Sequence, residues 1–285
     1  MNILKYLNKK QGITAMRYFA YMFAAMLFLA SCSDYQETEV VTDVAVVESY
    51  LVPGENASVK LYQMIPFTDE EYTGPVTIDS AEVYIETDGK EYLLTPVDTV
   101  PGYYVCLDTS MVVEADKDYI LTFDHNGTEV SAATTVPPKP QDLSLSDIYY
   151  YYDPYGSLPG YTDPLEVYWD NTDGAYYQIV VEYLDETYKP ISEYLDPNSY
   201  DSYRVIASGA LSGDTYSLMP RRQLAFYGDY KLTLYRINDE YVNLLYSGTD
   251  QSTLSITEPQ TNVKNGLGIF TGINLDVIYF KVIKI

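Results

Sequence analysis

The sequence predicts an all-β chain, two tandem β-sandwich domains behind a cleaved export segment. Three observations carry this reading. From Val46 onward, short segments alternate apolar and polar residues and are punctuated by Pro-Gly, Asp-Gly and Asn-Gly dipeptides. Pro137, Pro138 and Pro140 break that pattern into two parts. Ahead of both lies a basic, then apolar, then small-residue stretch that ends at Cys32.

That first stretch has the layout of a secretory signal. Lys5, Lys9, Lys10 and Arg17 precede an apolar run from Tyr18 to Leu29. The run is shorter than the roughly 20 apolar residues a spanning helix needs. Met1 and Met16 both serve as a start, since Met16-Arg17 is itself an adequate basic lead. Leu29-Ala30-Ser31-Cys32 resembles the lipobox of bacterial lipoproteins, in which the cysteine becomes the lipidated first residue. Residues 1–31 are then a removed signal peptide and 32–44 an acidic tether. Ser33, Asp34 and Glu37 resemble the signal that sends Bacteroidota lipoproteins to the cell surface.

Charge narrows the partners. The chain has 17 basic and 41 acidic residues, a net charge of −24. Removing residues 1–31, with four basic and no acidic side chains, leaves 13 against 41, about −28. Nucleic acid is excluded as a partner, because phosphates require Lys and Arg to displace their counterions. Docking on anionic lipid is excluded on the same ground, so a lipid on Cys32 has to do the anchoring. The other cysteine, Cys106, is then solitary, and a small buried hydrophobe is its expected role.

Residues 45–138 form the first predicted sandwich. Val46–Leu51 ends at Pro53-Gly54, Ala57–Tyr62 alternates at period two, and Ala81–Glu86 meets the hairpin dipeptide Asp88-Gly89. Glu91–Thr95, Tyr103–Leu107 and Tyr119–Phe123 follow, and Asn126-Gly127 turns into Thr128–Val136. Seven or so short strands in roughly 90 residues describe an immunoglobulin-like sandwich.

Residues 139–285 form the second. Leu165–Trp169, the turn Asp170–Gly174 and a strand from Ala175 to Leu184 are similar to the B and C strands of fibronectin type III domains. Residues 185–214 are expected to be a long polar loop, with one short helix near Ser192–Leu195. Asp229–Ile237 is a strand, Tyr241–Tyr246 is strand or helix, and Val277–Ile283 is apolar enough for a central strand.

The residues offer little catalytic chemistry. The single histidine, His125, falls on a hairpin tip, a poor scaffold for a triad. Asp170–Gly174 superficially resembles a calcium loop but lacks the alternating ligands and the downstream Glu, so a β-turn is expected. The sequence assigns no catalytic residue, no metal ligand and no cofactor. Carboxylate pairs of the glycosidase kind stay open, because 41 acidic residues make close pairs inevitable. The compositional outlier is tyrosine, at 33 residues against 8 Phe and 1 Trp. Tyr149, Tyr150, Tyr151, Tyr152, Tyr155 and Tyr161, with Asp147, Asp153 and Asp163, form a tract read two ways. It is a strand covering the second sandwich, or its alternate rings are exposed for a glycan or peptide ligand. Asp79-Ser80-Ala81 and Asp98-Thr99-Val100 resemble the short O-glycosylation acceptor of Bacteroidota, which makes Ser80 and Thr99 candidate sites.

Three stretches together carry a family resemblance: the lipobox with the Val46-Val47-Glu48 strand, Glu129–Pro138, and Asn262-Val263-Lys264-Asn265-Gly266-Leu267-Gly268-Ile269-Phe270. They are similar to the Bacteroidota lipoproteins grouped as domain of unknown function 4249. The resemblance implies an outer-membrane, surface-exposed lipoprotein that partners a TonB-dependent receptor, and it implies no catalytic residues. A binding or accessory subunit of such a receptor is the expectation. The rivals are an adhesin or structural surface protein, a carboxylate-based glycan-active enzyme, and a calcium-dependent binder.

Overall fold

The computed structural model describes residues 43–64, 76–152, 163–247 and 260–285. Cys32, Tyr155 and Tyr161 lie outside the described residues, as does nearly all of the predicted tether.

The first sandwich contains β1 (Ala45–Leu51), β2 (Ser58–Gln63), β3 (Val83–Thr87), β4 (Lys90–Pro96), β5 (Tyr103–Val105), β6 (Asp118–His125) and β7 (Thr128–Thr135). Alternation drives it: in β1, Ala45, Val47, Ser49 and Leu51 point inward while Val46, Glu48 and Tyr50 do not. Asp88-Gly89 and Asn126-Gly127 make the tight turns β3–β4 and β6–β7, with φ of +53° and +73° and of +52° and +79°. Cys106 is buried in this core.

The second sandwich contains β8 (Gln141–Leu145), β9 (Tyr149–Tyr152), β10 (Leu165–Asp170), β11 (Tyr176–Tyr183), β12 (Val205–Ala207), β13 (Thr215–Leu218) and β14 (Gly228–Ile237). The chain then forms the helix Asp239–Ser247, the short β15 (Val263–Lys264) and the long β16 (Leu267–Lys284). One sheet runs β13-β10-β8 and the opposing one β12-β11-β14-β16, with β9 on the far edge of β16. The Trp-ended strand and the Tyr-opened strand therefore sit in opposite sheets, as a fibronectin-like sandwich requires. Trp169 is buried between them, its ring 5.5 Å from that of Tyr177.

Each sandwich also carries a tyrosine corner, in which a Tyr at the start of a strand ties back to the preceding turn. Tyr230 Oη donates to the Phe226 carbonyl at 2.8 Å and accepts from the Phe226 N–H at 3.1 Å. Tyr119 Oη accepts from the Glu114 N–H at 2.8 Å.

Two expectations need correction. The span 139–285 is not all second sandwich. β15 pairs with β7, the first third of β16 pairs in parallel with β1, and Val263 and Phe270 fill the first core. The physical reason is close backbone approach. A Cβ on Gly268 would sit 2.0 Å from the Val47 carbonyl oxygen, and Gly268 has φ of +96°. A Cβ on Gly272 would meet Val136 Cα at 2.5 Å. The Asn262–Phe270 stretch locks this crossing with side chains. Asn262 Nδ2 donates to the Phe270 carbonyl at 2.7 Å, its Oδ1 accepts from the Phe270 N–H at 3.1 Å, and Asn265 Nδ2 donates to the Glu129 carbonyl at 2.9 Å.

The second correction concerns residues 185–214. No helix forms at Ser192–Leu195. The chain instead makes a 3-10 turn over Pro197–Tyr203, which Asp196 caps, and then β12. The segment is packed rather than free: Tyr188 and Tyr200 lie 4.9 and 5.4 Å from the Phe226 ring, covering the tyrosine corner. The ambiguous run Tyr241–Tyr246 is helical. Among the described residues, no helix is long and apolar enough to cross a membrane.

Candidate functional site

The C-terminal end of β16 alternates, whereas Ile269–Gly272 near its start are all buried between the two sandwiches' strands. Gly268, Phe270, Gly272, Phe280 and Val282 face the cores or the crossing, and Ile273, Leu275, Val277, Tyr279 and Lys281 face out. β9 lies beside its end in parallel, pairing Tyr149 with Lys281 and Tyr151 with Ile283. The tract follows period two: Tyr149 and Tyr151 are 47% and 40% exposed, Tyr150 and Tyr152 only 8% and 9%. Within the described part of the tract, Tyr150 and Tyr152 close the core while Tyr149 and Tyr151 are presented outward.

Tyr149 and Tyr279, the latter 59% exposed, border an open cleft of about 540 Å³ on this face. Ile148 and Leu184 add apolar walls, while Asp185, Asp229 and Lys281 supply charge. Lys281 Nζ lies 2.9 and 3.0 Å from the two carboxylate oxygens of Asp229. Lys189 Nζ lies 3.0 Å from Asp185 Oδ2, and the Asp229 N–H donates to Asp185 Oδ1 at 3.3 Å. Gly228 makes room for Asp185: its φ is +137°, and a Cβ there would meet Asp185 Oδ2 at 2.5 Å.

Burial pushes the Asp185 carboxyl up, but the hydrogen bonds from Lys189 and the Asp229 amide outweigh it and hold the group below the usual carboxylate range. The hydrogen bond to Asp229 raises the Lys281 ammonium. Asp185 therefore stays ionised at neutral pH. The cleft sets two exposed tyrosine rings beside fixed hydrogen-bond acceptors and a donor.

The other expected positions fall as follows. Ser80 and Thr99 are both exposed, and the Gly102 N–H donates to Asp79 Oδ1 at 2.6 Å, so the loops that carry them adjoin. His125 is not a free turn residue: its Nε2 lies 2.9 Å from Asp43 Oδ1, and Asn126 donates to the other oxygen of the same carboxylate. The end of the expected tether is thus stitched to the β6–β7 turn. Asp170–Gly174 is a turn in which Asn171 Nδ2 bonds the carbonyls of Ala175 and Ser212, each at 3.0 Å, and Asp173 pairs with Arg236. That ion-paired hydrogen bond holds the Asp173 carboxyl below its usual range. Among the described residues, no cluster of three metal-ligating side chains forms.

Sequence reasoning missed Leu184, Asp185, Asp229, Tyr279 and Lys281. A signal was present for the last two. Tyr279 and Lys281 alternate with buried Phe280 and Val282 on a strand whose apolarity already marked it as central.

No curated protein matches the chain. Among solved structures, the crystal structure of chicken CNTN1 FN1–FN3 domains aligns at 15% identity over 69% of this chain, with a TM-score of 0.26. This chain covers 60% of that chicken structure. A chimeric titin Z1Z2–Z1Z2 tandem aligns at 7% identity over 84% of this chain and 99% of the other, with a TM-score of 0.18. Neither superposition bears on function, and the all-β sandwich architecture rests on the strand pairing and tyrosine corners above. The family model for a domain of unknown function, DUF4249, matches residues 34–276, and the chain belongs to that family.

Proposed function

We propose that this protein is a lipid-anchored, non-catalytic binding subunit on the outward face of a Bacteroidota outer membrane. It captures ligand for a TonB-dependent receptor or joins it in a complex. The observation that carries the reading is the cleft between Tyr149 and Tyr279, where exposed rings adjoin ion-paired carboxylates. Glycan hydroxyls or a peptide fit such a face. The anchor is Cys32, and the acidic balance of the chain leaves lipid as the means of attachment. The test is metabolic labelling with a fatty acid, followed by protease treatment of intact cells. Label lost in Cys32→Ser and digestion of the wild-type chain in intact cells support the reading; an unlabelled or protected chain contradicts it.

One observation favours the rival adhesin or structural role. β1 and β16 run parallel, so a pull between the two ends of the chain loads their six register pairs in shear. Deletion that impairs attachment but not nutrient uptake would decide for it. Ser80 and Thr99, exposed on adjoining loops, are proposed as O-glycan carriers. A mass shift that disappears on Ser80→Ala and Thr99→Ala tests this.

A further inference from the structure

A second opening lies on the same outer face, where the two sandwiches meet. Tyr50 from β1, Tyr235 from β14 and Tyr241 from the Asp239–Ser247 helix surround a notch of about 220 Å³. Val180, Ile237, Ile273 and Gln178 complete its lining. The Tyr50 and Tyr241 rings stand nearly at right angles, 82°, with centroids 6.0 Å apart, so they form two walls of a corner.

The polar groups of the lining are largely spoken for. Tyr241 Oη donates to Gln178 Oε1 at 3.2 Å, and Gln178 Nε2 donates to the Ser208 carbonyl at 3.0 Å. A ligand that needs several hydrogen bonds finds few here. No basic residue lines the notch. The nearest outward lysine on β14, Lys231, is held by Glu182 at 2.6 Å. On β1, Glu48 lies two residues before Tyr50 on the same outward face, and it makes no ion pair among the described residues. The chain as a whole carries −24.

Ring faces, few hydrogen-bonding groups, a carboxylate at the rim and a strongly negative field select one chemistry, that of a weakly hydrated organic cation. A ring quadrupole attracts such a cation without needing a hydrogen bond. A bare ammonium would have to leave donors unpaired in the notch, at a desolvation cost. We propose that the Tyr50–Tyr235–Tyr241 notch binds the quaternary ammonium group of a small soluble ligand. The site is separate from the Tyr149–Tyr279 cleft and does not depend on the function proposed for that cleft.

The test is ligand-observed NMR on the full chain in a detergent without choline, with three probes. These are tetramethylammonium, its neutral isostere 2,2-dimethylpropane and methylammonium. The expected result is saturable binding of tetramethylammonium that is about tenfold tighter than either comparison, the span of cation–π attraction at a partly desolvated site. Tyr50→Leu and Tyr241→Leu should each weaken it several-fold, while Tyr50→Phe, which keeps the ring, should retain it. A retained melting temperature of Tyr50→Leu and Tyr241→Leu separates loss of the site from loss of the fold. Equal or tighter binding of the neutral isostere, or undiminished binding in folded Tyr50→Leu, would overturn the proposal.

Discussion

Gly268→Ala probes the crossing of β16 onto β1. The added Cβ would lie 2.0 Å from the Val47 carbonyl oxygen, against an ordinary carbon–oxygen contact of about 3.4 Å. The two backbones must then part by more than an ångström, beyond hydrogen-bonding reach at that rung. Losing two ladder bonds costs about 0.5–1.5 kcal/mol each. The positive φ adds about 1 kcal/mol, and partial exposure of Phe270, fully buried in the native chain, about 1 kcal/mol more. The total is about 3–5 kcal/mol, or about 10 °C in Tm for a domain pair of this size. Gly54→Ala is the control. Its φ is +87° but nothing lies within 4 Å of an added Cβ, so it should lose only about 1 kcal/mol. Urea unfolding followed by far-UV circular dichroism and by Trp169 fluorescence is the assay. Trp169 is the single tryptophan and sits in the second core, away from Gly268. Because β16 contributes to both cores, the two probes should shift together with an unchanged m-value. Equal midpoints for the two variants would refute the close-approach argument, and a Trp169 transition indifferent to Gly268→Ala would refute the sharing of β16.

Four further outcomes follow from the same geometry. Tyr230→Phe removes the bond to the Phe226 carbonyl and strands the Phe226 N–H, so a loss of about 2–3 kcal/mol is expected by denaturation. Tyr119→Phe, with one such bond, should lose about half of that. Burial pushes the Tyr183 phenol up to about 12, and burial with Glu48 does the same for Tyr50. The unfolded chain releases these protons near pH 10. This contribution to stability is therefore whole below pH 10 and falls as pH rises toward 12. Phenolate absorbance should rise together with loss of circular dichroism in that window, and full ionisation near pH 10 without unfolding would contradict it. Tyr149→Ala with Tyr279→Ala changes two exposed side chains, so Tm should move by no more than about 1–2 °C while binding at the cleft is lost.

Much of the fold was legible because its cause is local. Asp88-Gly89 and Asn126-Gly127 adopt the positive φ values that make tight hairpins, whatever surrounds them. The alternation of Tyr149–Tyr152 predicts that successive rings face opposite sides, as they do. The first third of β16 was not legible as part of the first sandwich, because its partner, β1, is some two hundred residues away. Nothing local in the sequence marks why Gly268 must be glycine; the close approach of Val47 explains it. Tyr241–Tyr246 is too short an apolar run for periodicity to separate helix from strand. The cleft was half visible for the same reason: its tyrosine came from a tract, but Asp185, Asp229 and Lys281 come from three separate parts of the chain that only the sheet register brings together.

The central functional claim is tested most directly by recovering the native, Cys32-anchored chain from detergent-solubilised outer membrane and identifying what comes with it. A β-barrel receptor of the TonB-dependent class should be recovered alongside the wild-type chain, and less of it with the Tyr149→Ala and Tyr279→Ala variant if the cleft forms the contact. Recovery of the chain without any β-barrel partner would contradict the account.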